Sequence, residues 1–202
     1  MGFYHDRVLP LLLHLAMSNR ELAPYRQRTI AQARGRVLEV GIGSGLNLPL
    51  YDPALTHLHG IDPLLPLLGR AARQSGREPL LVHGSAETLP YETAAFDTVV
   101  TTWTLCSIPD VLAALREMRR VLRPDGRLLF VEHGRAPDAA VVRWQDRLTP
   151  CWKCLGGGCH LNRRIDDLIG QAGFHVDHMT KGYLRGRNPF TFMYEGVARP
   201  AS

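Results

Sequence analysis

Three of the four cysteines in this 202-residue chain, Cys151, Cys154 and Cys159, share the stretch "CWKCLGGGCHLNRR" with His160 and a glycine triplet. Thiolates and an imidazole at short spacing are ligands for zinc, and a C-x-x-C pair is also a signature of redox chemistry. The spacing argues against both. Zinc sites present two separated ligand pairs, whereas Cys159 and His160 are adjacent, and Arg164 stands where a knuckle would want its next ligand. A redox pair opens a helix after a strand, in a thioredoxin-like setting that the flanking residues lack. No metal is therefore expected. The stretch reads as the wall and lid of a pocket instead. Gly156–Gly158 bend, Trp152 and Leu155 close an apolar space, and Asn162 and Arg163 bond a ligand or hold the lid shut.

A second chemical feature is "VLEVGIGSGLNLPLY", residues 37–51, in which a short apolar run stops at Gly41, Gly43 and Gly45. A turn this rich in glycine lets main-chain N–H groups approach a ligand where a Cβ would obstruct it. Leu46 follows the third glycine, so the G-x-G-x-x-G spacing of a dinucleotide pyrophosphate site is not met. Asp62 ends the next apolar run, 21 residues after Gly41. An acid there accepts ribose hydroxyls in nucleotide-binding α/β folds, or else caps the helix that follows.

These groups need a scaffold, and the chain alternates strand-like and helix-like segments. Strands are expected at 36–40, 56–62, 79–84, 96–103 and 127–134. Helices are expected at 64–75 and 111–122, and "RPDG" (123–126) marks a turn. Continuous apolar strands alternating with helices mean a parallel sheet covered on both faces. A helix over 165–173 and strands at 174–184 and 191–199 close the chain. Four parts of one domain result: a helical cap (1–34), a ligand-binding core (35–134), a covering insertion (135–164), and a closing helix with two strands (165–202).

The composition is that of a globular protein, 45% apolar and 21% charged, with a formal net charge of +5 carried almost wholly by arginine. Arg116, Arg119, Arg120 and Arg123 read as a solvated helix face, and no basic–aromatic platform supports a nucleic-acid partner. No run reaches the ~18 apolar residues of a spanning helix. Val8–Met17 reads as an amphipathic helix that covers the domain or touches a membrane surface. Without an export signal the thiols are expected reduced and the protein cytoplasmic, or peripheral at a membrane's inner face.

"VLEVGIGSG", "GID", "GSAETLPY", "FDTVV" and "REMRRVLRPDGRLLFVEHG" together resemble the successive motifs of class I S-adenosylmethionine-dependent methyltransferases. The resemblance implies a Rossmann-like, seven-stranded, mostly parallel sheet with its last strand antiparallel, and S-adenosyl-L-methionine as cofactor. It places Glu39, Gly41, Gly43 and Gly45 at the methionine end, Asp62 at the ribose, and Ser85, Ala86 and Glu87 along the adenine. Ser85 stands where the family usually has aspartate, so the Ala86 backbone is the firmer contact.

The acceptor is expected beyond strands four and five. There Trp103 offers an aromatic face to a sulfonium. His133 is the first proton acceptor to consider and His160 the second, while Cys106 is a nucleophile or, more simply, pocket packing. Glu132 orients a histidine or caps the next segment. "TLCSI", "VEHG", "RWQ" and "GGCHLNR" are similar to the branch that includes animal membrane-associated alkyl-thiol methyltransferases, implying a thiol or sulfide as the small-molecule acceptor. The alternatives are a phospholipid or small-amine N-methyltransferase, a quinone-type C- or O-methyltransferase, and a cofactor-binding zinc or thiol sensor without catalysis.

Overall fold

The computed structural model describes residues 4–74 and 79–201. Residues 1–3 of the expected cap, Ser75 at the end of an expected helix, and Ser202 lie outside the described residues. Seven strands among the described residues form one sheet: β1 (Val37–Val40), β2 (Leu58–Asp62), β3 (Leu80–His83), β4 (Phe96–Thr102), β5 (Leu122–His133), β6 (Phe174–Tyr183) and β7 (Phe192–Pro200). Their order is β3-β2-β1-β4-β5-β7-β6. Neighbours from β3 through β5 pair in parallel, and β7 runs antiparallel to both β5 and β6. This is the doubly wound sheet expected from the alternation of apolar runs.

The helices are α1 (Leu9–Met17), α2 (Ala23–Ile30), α3 (Leu65–Gln74), α4 (Val111–Val121), α5 (Ala139–Leu155) and α6 (Ile165–Gln171). A single π-helical turn, Tyr4–Val8, precedes α1. Asp110 starts α4 by accepting the Ala113 N–H at 3.0 Å. Behind that cap Val111, Ala114, Leu115, Met118 and Val121 recur at helical spacing and are all buried. The central strands β1, β4 and β5 divide their side chains between two cores. Leu38, Val99, Leu128 and Phe130 pack with α4 and α6. Val37, Val100 and Leu129 face Ile30 of α2 and Ala71 of α3. By the same alternation Glu39 and His133 lie on the α2 side and Glu132 on the α4 side.

Two segments depart from the sequence reading. "RPDG" does not end an element: β5 begins at Leu122, pairs with Phe96, and shifts register before Thr98. The expected insertion is largely a 17-residue helix, α5, with Pro150 inside it. The glycine triplet ends that helix. The Gly156 and Gly158 N–H groups donate to Trp152 and Lys153 carbonyls at 2.7 and 2.9 Å.

Candidate active site

The carboxyl ends of β1, β2, β4 and β5 open into a cavity of about 810 Å³, within the ~300–1,000 Å³ range of small-molecule sites. It lies where the strand order reverses between β1 and β4, which is where ligands bind in open α/β sheets. The inward face of α1 (Leu9, Leu13, His14, Met17) roofs it. His14 Nδ1 lies 2.8 Å from Ser44 Oγ and ties that roof to the glycine loop.

The three glycines divide the labour. A Cβ on Gly41 would stand 2.2 Å from Thr104 Oγ1, so only glycine lets the β1 and β4 loops meet there. A Cβ on Gly43 would meet nothing nearer than the Gly41 carbonyl at 3.9 Å, because that side faces the cavity. Gly45 does not line the cavity. Its φ is +80°, and a Cβ there would come within 3.0 Å of Ala71 Cα on α3, so it packs the loop onto that helix.

Asp62 holds this loop in place. Its two carboxylate oxygens accept the N–H groups of Gly43 at 2.9 Å and Leu64 at 2.8 Å. Burial raises its pKa, and those two N–H groups oppose the rise. Each oxygen keeps a second lone pair for a ligand hydroxyl.

Glu39, buried under the same loop, accepts from Asn47 Nδ2 at 2.7 Å and the Tyr51 hydroxyl at 2.9 Å. Burial pushes its pKa up to about 7. Arg26 of α2 reaches in to complete the cluster, donating to Asn47 Oδ1 at 2.8 Å and the Met17 carbonyl at 3.1 Å. Its guanidinium lies 4.7 Å from the centre of the Trp103 ring. The aromatic face expected to meet a sulfonium therefore already carries a fixed cation. Ser85, Ala86 and Glu87 all line the cavity, and the Ser85 hydroxyl donates to Glu87 Oε2 at 2.8 Å.

At the other end, Glu132 neither orients a histidine nor caps a helix. Its Oε1 accepts the Thr104 and Leu105 N–H groups and the Thr101 hydroxyl at 3.0–3.1 Å, and so shapes the loop after β4. Burial pushes this carboxyl up to about 7 as well. His133 faces the cavity with Nε2 3.1 Å from Cys159 Sγ. Burial disfavours its imidazolium, but the Cys159 sulfur and the Glu132 carboxyl outweigh that and raise its pKa. Cys106 lines the same wall.

His160 does not line the cavity, since its Nδ1 lies 3.2 Å from the Cys106 carbonyl. Cys151 and Cys154 are exposed. Trp152 lines the cavity, whereas Leu155 is 60% exposed. Asn162 bonds Asp146, and Arg163 donates to the Leu105 and Pro109 carbonyls, so both hold the covering segment in place.

A methyltransferase-domain family model matches residues 38–130. Thiol S-methyltransferase TMT1B of Homo sapiens is 31% identical over 179 residues, covering 81% of this chain and 73% of that one. The chain belongs to the S-adenosylmethionine-dependent methyltransferases. The rat TMT1B is 33% identical over 145 residues, and the chain spans 59% of its length. Phosphatidylethanolamine N-methyltransferase of Cereibacter sphaeroides is 38% identical over 129 residues, 58% of this chain and 63% of that one. Among solved structures, the YcgJ protein of Bacillus subtilis superposes with a TM-score of 0.70 at 16% identity, covering 90% of this chain and 98% of that one.

The cavity of this methyltransferase suits the cofactor its family uses. The open cradle at Gly43, the spare lone pairs of Asp62 and the buried Glu39–Asn47–Arg26 cluster are a donor and acceptor set for an amino acid joined to a nucleoside. Arg26, Asn47, Tyr51 and His14 escaped the sequence reading. Asn47 and Tyr51 stand within the glycine-rich stretch already singled out, so their offset from Glu39 was a usable signal. Arg26 and His14 come from the cap, and nothing local in the sequence shows where it crosses the sheet.

Proposed function

We propose that this methyltransferase transfers a methyl group from S-adenosyl-L-methionine to the sulfur of a small, apolar thiol. The observation that carries the acceptor is the wall beyond the cofactor cradle, where Trp152, Leu161, Leu184, Phe190 and Met193 surround His133 and Cys159. The extent of the similarity to thiol S-methyltransferase TMT1B supports the same reading. An apolar thiol gains by burial there, and its pKa near ~8.5 leaves some thiolate at neutral pH. When bound, the cofactor supplies a methyl group on a sulfonium, open to in-line displacement.

The chain's own residues hold and orient. Asp62 takes the ribose hydroxyls, and Ser85, Ala86 and Glu87 flank the adenine. Glu39 and the loop through Gly43 take the methionine end, with Gly45 packing that loop, and Arg26 pairs with the carboxylate. Trp103 braces Arg26. His133 is the titratable side chain standing at the acceptor end, with His160 behind the wall.

The test is a panel of alkyl thiols, sulfide, phosphatidylethanolamine vesicles and demethylated quinone precursors, read as S-adenosylhomocysteine formed. Thiols are expected to turn over, and methylation of lipid or quinone without thiol overturns the assignment. Asp62→Asn is expected to weaken S-adenosylhomocysteine binding by about 10- to 100-fold in calorimetry, the loss of charged hydrogen bonds of ~1.5–3 kcal/mol.

We propose further that the outer face of the roof rests on an anionic membrane surface, from which a lipophilic acceptor enters. Leu11, Leu12 and Leu15 are 44%, 48% and 60% exposed on α1, opposite its cavity-facing side chains. Exposed Arg7 and Arg20 flank them. An apolar stripe edged by arginine matches an interface of acyl chains and anionic headgroups. Among the described residues no helix is long and apolar enough to cross a membrane.

A further inference from the structure

The zinc ligands suggested by the cysteine-rich stretch disperse in the fold, but a different set gathers. Cys106 comes from the loop after β4, His133 from the last residue of β5, and Cys159 from the turn after the glycine triplet. Their two sulfurs and one imidazole nitrogen lie within 4.8 Å of one another, and all three residues line the cavity. We propose that they bind a zinc ion with one coordination position open to the cavity, and that the acceptor thiol takes that position. The fourth ligand rests on the thiol reading given above; the three protein ligands do not.

Several observations converge on an ion. Bond lengths of ~2.3 Å to sulfur and ~2.0–2.1 Å to nitrogen put tetrahedral ligands ~3.8 Å (S···S) and ~3.6 Å (S···N) apart. His133 Nε2 and Cys159 Sγ lie 3.1 Å apart and every separation in the set is within 4.8 Å, a span into which those values fall. The backbone holds the ligands in place. The His160 N–H donates to the Cys106 carbonyl at 2.8 Å and pins the two cysteine segments together. Glu132 fixes the turn that carries Cys106 through the Thr104 and Leu105 N–H groups. Two thiolates neutralise a divalent ion in a site too buried to hold them unpaired. Arg163, donating to the Leu105 carbonyl, stands near the two sulfurs and offsets the extra negative charge that a third thiolate would bring.

Three protein ligands with a free position are the arrangement of a catalytic zinc, whereas structural sites are closed by four. A thiol that coordinates zinc gives up its proton. Here the acceptor's S–H proton leaves to water as the zinc–sulfur bond forms. The sulfur then makes a bond to the methyl carbon as that carbon's bond to the sulfonium breaks. The products are S-adenosylhomocysteine and a neutral thioether, a weak ligand that departs. His133 thus acts as a ligand, and the ion, rather than the imidazole, draws off the proton.

The experiment uses the full chain carrying C151S and C154S, which removes the exposed thiols and leaves the cavity wall untouched. Reduced, metal-stripped protein is titrated with cobalt(II). One equivalent should bind, with thiolate-to-cobalt charge transfer and the ligand-field bands of a tetrahedral ion, and zinc should displace it. C159S and H133N should each weaken binding at least about tenfold, while S-adenosylhomocysteine calorimetry shows that they remain folded. Adding an alkyl thiol should shift the ligand-field bands. The site is overturned if the background variant takes up no cobalt, or if C159S and H133N bind it unchanged. Undiminished thiol methylation by stripped protein also overturns it and leaves the thiol assignment standing. Cobalt binding with no spectral response to thiols and no thiol methylation overturns the open position together with the thiol assignment.

Discussion

Two buried carboxyl groups set the pH behaviour of individual residues in this protein. Glu132 and Glu39 both rise from an ordinary 4.5 to about 7 because burial penalises their charge more than their hydrogen bonds repay it. A carboxyl whose folded pKa lies above its unfolded value stabilises the fold while protonated. That stability is whole below about pH 4.5 and is lost as the pH rises to about 7. Glu132→Gln should flatten the decline by about 3 kcal/mol, at ~1.36 kcal/mol per pH unit, in urea midpoints measured without cofactor between pH 4.5 and 8. Glu132 Oε2 has no hydrogen-bond partner among the described residues, which adds to the cost of its charge. The sequence showed Glu132 beside His133 but not on which face of the sheet each would lie. Strand alternation sends them to opposite sides, so the acid shapes a loop and the histidine reaches the cavity.

Among the elements, the glycine loop and α5 show what sequence can and cannot disclose. The loop was legible because its need is local: a backbone that must pass close to Thr104 and to a ligand admits only glycine. The fold separates the three positions further. Gly45→Ala is expected to lower stability by about 1–3 kcal/mol, through its left-handed φ and the crowding at Ala71. Gly43→Ala should cost less in thermal unfolding and lose S-adenosylhomocysteine binding in calorimetry, since its Cβ enters the cavity. Helix α5 was not legible. Pro150 interrupts its pattern, and only Val141, Gln145 and Thr149 are buried, a four-residue period containing two polar residues. Gln145 earns its burial through bonds to Ala136, Gly134 and Pro189. Those partners are distant in sequence or in other loops, so local pattern could not announce them. For the same reason the cysteine-rich stretch, read as a pocket wall without metal, gave no sign that the helix end divides it. Cys151 and Cys154 stay outside on α5, while Cys159 turns inward to residues from two other strands' ends.

At the scale of the whole molecule, the sheet supplies the cradle and the helices α1 and α2 supply the roof. One face of the roof lines the cavity, and the other exposes Leu11, Leu12 and Leu15. Replacing Leu12 and Leu15 by Glu should reduce binding to anionic vesicles by about tenfold or more in sedimentation, with turnover of a water-soluble thiol unchanged. Alternation called for a parallel sheet covered on both faces, and the family resemblance implied seven strands with the last antiparallel, but neither showed the placement of the roof. It depends on long-range bonds such as Arg26 to Asn47 and His14 to Ser44. Helix α1 has nine residues and follows directly on the five-residue π-helical turn Tyr4–Val8, a stretch no longer than the ~12–15 residues at which an isolated helix is marginal in water. Its order is therefore borrowed from the loop beneath it. By reciprocity, whatever steadies the glycine loop also steadies α1, and whatever pulls α1 away would loosen that loop's proposed hold on the methionine end of the cofactor. A membrane that favours the detached helix would act as an antagonist of the cofactor, and one that favours the docked helix as its ally, without touching the chemistry at sulfur.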